Sequence, residues 1–356
     1  MRVAVVGLGL IGGSIALAAR RRCAAAVWGA DSRAPALAAA RELGAVDRAC
    51  GSAGEAAAGA DAVFVAVPVG QAPEVVAEVL AAAPQRCVVS DVGSTKRAVV
   101  AAIEDPRFVG GHPLAGAETS GIEHAREDLF DGATWYLTPA AGASGVHYER
   151  LHRLLRAFGA RPVAIDAEAH DRLLALVSHL PHVLANVLIA QAAHGLQESA
   201  QRLPATGPSF RDATRVAGAS SAIWTDIYLA NRDALIAQIE QTVERLQDVA
   251  ALLRSGDARA IAAWNDAAGA DRRALLEAQL GGGELRELRV SVPNRPGVVA
   301  QLALELGRAG VNIVDMALYP AADMSEGVVA LWIAGSPLAA RAEEILRGLG
   351  FPVARA

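Results

Sequence analysis

The chain has 356 residues, which suits two or three domains and is too long for one small core. A net charge of -5, with Lys and Arg scattered along the chain, argues against a nucleic-acid partner, which would need a basic face. Hydrophobic residues make up 53% but aromatic residues only 4%, so alanine accounts for much of the apolar bias and no membrane partner is implied.

The opening MRVAVVGLG reads as a strand and a turn, not as a secretory signal. Short apolar runs at 3–6, 26–29, 62–67, 87–90, 108–110, 135–138 and 162–165 alternate with helical stretches. Continuous rather than alternating runs predict strands buried on both faces, and so a mostly parallel α/β sheet over residues 1–165. The three cysteines, Cys23, Cys50 and Cys87, are odd in number and lack metal-ligand spacing, which fits a reducing cytoplasm.

The first strand runs into Gly7-Leu8-Gly9-Leu10-Ile11-Gly12 and then into a helix. In that context G-x-G-x-x-G predicts a dinucleotide site of Rossmann type. Gly7 permits the tight turn, Gly9 lets the backbone approach a pyrophosphate, and Gly12 lets the helix pack on the strand. Leu10 and Ile11 open that helix, whose N-terminal N–H groups face the phosphates. Asp31, ending the second strand, is placed to accept hydrogen bonds from ribose hydroxyls, which favours NAD over NADP, although Arg33 two residues on would soften that preference.

Ligands gather at the carboxyl ends of strands in such sheets. Here those ends carry Pro68, the run Asp91-Val92-Gly93-Ser94-Thr95-Lys96, and Gly111-His112-Pro113. His112, directly after a strand, suits an acid–base role near neutrality, and it equally suits a capping or core position.

From Asp166 to about 280 no strand signal remains, only helical periodicity interrupted near Pro204 and Pro208, so 166–280 is expected to be all-helical. The apolar stretch 173–196 carries His179, His182, Asn186 and Gln191, which cost roughly a few kcal/mol each at bilayer depth. A helix in a bundle or a subunit interface is the expectation. His179 and His182 lack the companion acid of a zinc motif, so no metal is predicted. Arg211 and Arg215, one helical turn apart, can present two guanidinium groups to a carboxylate, or stand solvated at a loop-to-helix junction.

Gly281-Gly282-Gly283 reads as a flexible linker. Beyond it, strand, helix, strand, strand and helix at 285–292, 297–309, 312–319, 327–334 and 339–349 predict a small ferredoxin-like α+β module over 284–356.

The run Gly111-His112-Pro113-Leu114-Ala115-Gly116-Ala117-Glu118-Thr119-Ser120-Gly121 resembles the prephenate and arogenate dehydrogenase family. So do Gly93-Ser94-Thr95-Lys96, Ser178-His179-Leu180-Pro181-His182 and Arg211-Asp212-Ala213-Thr214-Arg215-Val216-Ala217, in the family's order over about 280 residues. The resemblance implies NAD-dependent oxidative decarboxylation of prephenate, with arogenate as the alternative substrate. It implies that His112 takes the proton of the ring hydroxyl and that Ser94 contacts the same hydroxyl. Arg215 would bind a substrate carboxylate, His182 the side chain, and Glu118 a polar network at the pocket mouth. Arg211, sharing a helix face with Arg215, is a second candidate substrate contact, and Trp224 either walls the pocket or belongs to the core. It also implies a homodimer built by the helical domain.

Two departures stand out: Gly207-Pro208-Ser209-Phe210 replaces the family's glycine pair, and the proline that commonly precedes the tryptophan is missing before Trp224. The C-terminal Val292-Pro293-Asn294-Arg295-Pro296-Gly297 and Gly310-Val311-Asn312-Ile313 resemble an ACT domain. That implies a tyrosine or phenylalanine effector near Asn294, Gly297 and Asn312, or a module that only stabilises the oligomer. A β-hydroxyacid dehydrogenase shares the two-domain plan, but the helix lysine it needs is absent from 166–280. A non-catalytic NAD and amino-acid sensor would bind cofactor without turnover.

Overall fold

The structure, a computed structural model, describes residues 1–116, 119, 121–198, 206–279, 284–321 and 325–355. Its contacts divide the chain into two units, Met1–Arg245 and Leu246–Ala356. Pro204 and the glycine run 281–283, marked above as a break and a linker, lie outside the described residues.

In the first unit, β1 (Arg2–Val6), β2 (Ala26–Ala30), β3 (Arg48–Ala49), β4 (Ala62–Val65) and β5 (Val88–Asp91) form a parallel sheet in the order β3-β2-β1-β4-β5. Helices Leu10–Cys23, Ala34–Glu42, Ala53–Ala57 and Ala72–Ala82 lie in the connections. Successive strand residues face opposite ways, so Val3, Val5, Val27 and Phe64 join Ile15 and Leu17 in one core, while Ala4, Val63, Val65 and Val89 join Val76 and Val79 in the other. That double burial is why the strands read as unbroken apolar runs.

The expectation of one mostly parallel sheet needs correction. β6 (Val109–Pro113), β7 (Thr134–Pro139) and β8 (Arg161–Ala164) form a separate three-stranded sheet, in which β6 and β7 are antiparallel. A single bridge, Val89 to Phe108, joins it to the first. Among the described residues the β6–β7 connection holds only a 3-10 turn, Ile122–His124, so no crossover helix returns the chain to run parallel. His112 accordingly lies within β6, not after it.

Asp166 caps the next helix, Ala167–Leu174; its Oδ1 accepts the N–H of Glu168 at 3.0 Å and of Ala169 at 2.9 Å. The helix continues through a π-helical turn, Ala175–His179, into Leu180–Glu198. The 29-residue stretch Ala167–Gly195 is long and apolar enough to cross a membrane by length and composition. It nevertheless buries His170, Asp171, His179 and His182, each with polar protein partners. Helices Pro208–Thr214 and Ser221–Ala230 follow, the second packing on the turn Val69–Gln71 at the carboxyl edge of β4.

In the second unit, helix Ala258–Gln279 precedes β9 (Leu285–Pro293), helix Val298–Arg308, β10 (Ile313–Pro320), β11 (Glu326–Ala334), helix Ser336–Gly348 and β12 (Val353–Arg355). The antiparallel sheet has the order β10-β11-β9-β12. Leu288, Val290, Val329, Leu331 and Ile333 bury one face against Leu302, Leu306 and Leu346 of the two helices flanked by strands. The arrangement is βαββαβ; the closing strand, three residues long, carries too little pattern to read from sequence.

Candidate active site

The glycine loop is shaped by its own stereochemistry. Gly7 has φ +92°, and a Cβ there would collide with the carbonyl of Ala66, while a Cβ on Gly12 would strike the carbonyl of Gly7. A Cβ on Gly9 would meet nothing within 4 Å. Gly9 also caps the helix without any side-chain acceptor, leaving the N–H groups of the first turn, where Leu10 and Ile11 sit half-buried, approachable by an anion. These residues fit a dinucleotide pyrophosphate.

Asp31 lies one residue beyond β2 and is more engaged than expected. Its Oδ2 accepts the Leu8 N–H at 2.7 Å and its Oδ1 the Arg33 N–H at 2.8 Å, with the Arg33 Nε 3.4 Å away. The carboxylate therefore braces the glycine loop, and ribose hydroxyls must share its remaining lone pairs. Pro68, exposed, precedes the turn Val69–Gln71.

Asp91, at the end of β5, organises the opposite side. Its Oδ2 accepts from Gly93 N at 2.9 Å and its Oδ1 from Gly111 N at 3.1 Å, and Lys96 Nζ closes a fully buried ion pair on it. This fixes the loop carrying Ser94, half-buried, beside the strand carrying His112, 8% exposed.

His112 Nδ1 lies 2.9 Å from His170 Nε2, and His170 Nδ1 lies 2.8 Å from Asp171 Oδ1. Asp171 also accepts from Lys96 N at 2.7 Å and Arg97 N at 2.9 Å, so it holds the start of helix Arg97–Ala102 from a distant helix. Burial pushes the Asp171 carboxyl up, but the hydrogen bonds from His170, Arg97 and Lys96 prevail and hold it below the usual range. For His112, burial foremost, then the nearby His170, Lys96 and His179, lower its pKa well below the usual imidazole value, so it stands neutral, with a ring lone pair available to accept a proton.

Behind this group, Asn231 Nδ2 donates to the Asp171 carbonyl at 2.7 Å and meets His179 Nδ1 at 3.1 Å. Burial drives His179 down to about 4. Its Nε2, with Thr95 Oγ1 and Asn231 Oδ1, is a buried polar atom without a hydrogen-bond partner among the described residues. His182 stacks on Trp224 at 3.6 Å between ring centroids and bonds Tyr228 through Nδ1. Burial lowers His182, opposed by the nearby carbonyl of Val216. Val216 thus brings the Arg211–Arg215 segment beside His182; both arginines are exposed, on helix Pro208–Thr214 and at its C-cap. Glu118 lies outside the described residues.

A family model described as "Prephenate dehydrogenase, nucleotide-binding domain" matches residues 15–164, and one described as "Prephenate dehydrogenase, dimerization domain" matches 166–265. The chain belongs to the prephenate dehydrogenase family. It is 30% identical over 354 residues to a prephenate dehydrogenase of Bacillus subtilis (strain 168), covering 97% of this chain and 95% of that one. The crystal structure of the family's enzyme from A. aeolicus, in complex with hydroxyphenyl propionate and NAD+, matches with TM-score 0.71 and 27% identity, covering 77% of this chain and 98% of that one. Synechocystis arogenate dehydrogenase matches with TM-score 0.65 and 26% identity, covering 76% and 99%.

Sequence reasoning missed His170, Asp171, Asn231 and Tyr228. The available signal was the adjacent His170-Asp171 pair, one helical turn past the Asp166 cap.

Proposed function

We propose that the chain catalyses the NAD-dependent oxidative decarboxylation of prephenate to 4-hydroxyphenylpyruvate, a step of tyrosine biosynthesis, as a cytoplasmic homodimer. The observation that carries this is a buried, neutral His112 on β6, beside the Ser94 loop, with His179 near enough to act on its charge and packed through Trp224 against His182. Gly7, Gly9, Gly12, Leu10, Ile11, Asp31 and Pro68 would hold NAD, which supplies the acceptor for the hydride leaving ring carbon C4. His112 Nε2 accepts the proton of the C4 hydroxyl, an effect worth about 10²–10⁴-fold. Ser94 orients that hydroxyl. Arg215 pairs with a substrate carboxylate as a planar fork, Arg211 adds positive field, and His182 with Trp224 holds the side chain. Loss of the ring carboxylate as CO2 then restores aromaticity.

The arogenate reading rests on the Synechocystis neighbour and differs only at the side-chain amine. NADH formation by purified protein with prephenate or arogenate decides between them; prephenate is expected to be preferred by at least about tenfold in kcat/KM, a difference of about 1.4 kcal/mol. Turnover of neither would overturn the assignment. In the second unit, Gly297 opens helix Val298–Arg308 with φ +86°, and Asn294 and Asn312 lie at the ends of β9 and the start of β10. We read this module as ACT-like, taking tyrosine or phenylalanine there as an inhibitor.

A further inference from the structure

Three buried side chains form a line leading inward from His112, and their protonation states follow from one another. The Asp171 carboxylate accepts two backbone N–H groups, from Lys96 and Arg97, and is held ionised. An ionised carboxylate can only accept, so the proton facing it at 2.8 Å belongs to His170 Nδ1. With His170 neutral, its Nε2 is bare, and His112 Nδ1, 2.9 Å away, donates to it. His112 is left with its lone pair on Nε2, which has no hydrogen bond among the described residues. One anion thus sets two tautomers in sequence.

We propose that His170 and Asp171 act as a proton relay behind His112. The substrate proton enters at His112 Nε2, the Nδ1 proton of His112 passes to His170 Nε2, and the positive charge settles on His170 against Asp171. The proposal rests on the reading of His112 as the base for a hydroxylated substrate. The balance is complete. The substrate O–H bond breaks and an N–H bond forms at His112 Nε2; the His112 Nδ1–H bond breaks and one forms at His170 Nε2. The O–H electron pair becomes the second bond of the carbonyl as the C4 hydride departs.

Charge left on His112 would face Lys96 and His179. Charge on His170 faces Asp171, with the edge-on ring of Tyr136, at 5.6 Å between centroids, as its other aromatic neighbour besides His112. His170 is 0% exposed, so bulk water does not compete for the proton. His170 and Asp171 are positioning residues: they act through His112.

The test is steady-state kinetics of the full-length enzyme with prephenate and NAD across pH. His170→Phe keeps an aromatic ring beside Tyr136 and removes both hydrogen bonds. It should lower kcat about 100-fold with KM for prephenate changed by less than about threefold. With His170 gone the proton must stay on His112, which burial, Lys96 and His179 hold low, so the acidic limb of the kcat profile moves to lower pH. His170→Gln can accept from His112 and donate to Asp171 but cannot carry a proton. It should recover part of kcat while keeping the displaced limb. A structural role alone would leave the limb where it stands in the parent, and an unmoved limb in His170→Gln overturns the relay even where His170→Phe fails to fold. Parent enzyme that oxidises neither prephenate nor arogenate overturns the functional reading and the relay together; parent turnover with unmoved variant profiles overturns the relay alone.

Discussion

Lys96 is the only lysine in a chain that otherwise uses arginine for every basic side chain, and it is fully buried. A compact ammonium can meet one carboxylate in a closed space, where a five-donor guanidinium fork would leave donors unpaired. Its partner Asp91 also gathers Gly93 and Gly111, so the pair shapes the Ser94 loop and seats β6 beside it. Lys96→Met would leave a buried anion with only two amide donors and should cost about 3–5 kcal/mol in urea unfolding. A loss under about 1 kcal/mol would show that the amides alone hold the carboxylate. At this scale the sequence was legible where a residue stands at a strand end or in a motif, as His112, Ser94 and His182 do. His170 and Asp171 were not, because a polar pair in the first turns of a helix is ordinarily solvated; only the packing of that helix on β6 and the Lys96 loop buries it.

Within the glycine loop the structure separates two kinds of requirement. Gly12 is enforced by the protein, since any Cβ meets the Gly7 carbonyl; Gly9 has open space around it. Gly12→Ala should therefore destabilise the fold by about 1–3 kcal/mol, read by thermal or urea unfolding. Gly9→Ala should leave stability within about 0.5 kcal/mol and weaken NAD binding by at least about tenfold in a titration. Equal loss of stability in both variants would refute that division. Most strands and helices were readable from periodicity, and β1, β2, β4 and β5 behave as their apolar runs suggested, whereas the two-residue β3 carries no such run. The direction of β7 was not. An antiparallel strand with Trp135 and Leu137 buried carries the same local pattern as a parallel one, and the pairing is set by what the intervening chain fails to supply.

On the scale of the molecule, helix Ala167–Glu198 divides its apolar residues between two fates. Leu174, Ala175, Leu180 and Ala185 are buried, while Leu176, Val177, Val187, Leu188 and Ile189 stand exposed on the first unit. So much exposed apolar surface on one helix calls for a covering partner, and the proposed homodimer would supply a second copy of the chain. Leu188→Glu should raise the dimer dissociation constant at least about tenfold in sedimentation velocity; a parent protein monomeric at all concentrations would overturn this.

What the amino-acid order determined by itself is everything that local stereochemistry and periodicity dictate: the glycine turn, the capped helix after Asp166, the buried strands, the helical region and the small C-terminal sheet. What only the tertiary structure decided is which polar groups share a proton and which strands share a sheet. His112 and His170 are 58 residues apart, and Asp171 and Lys96 are 75 apart. Contacts of that span arise when separate elements bury their faces together, so no local window of the chain contains them.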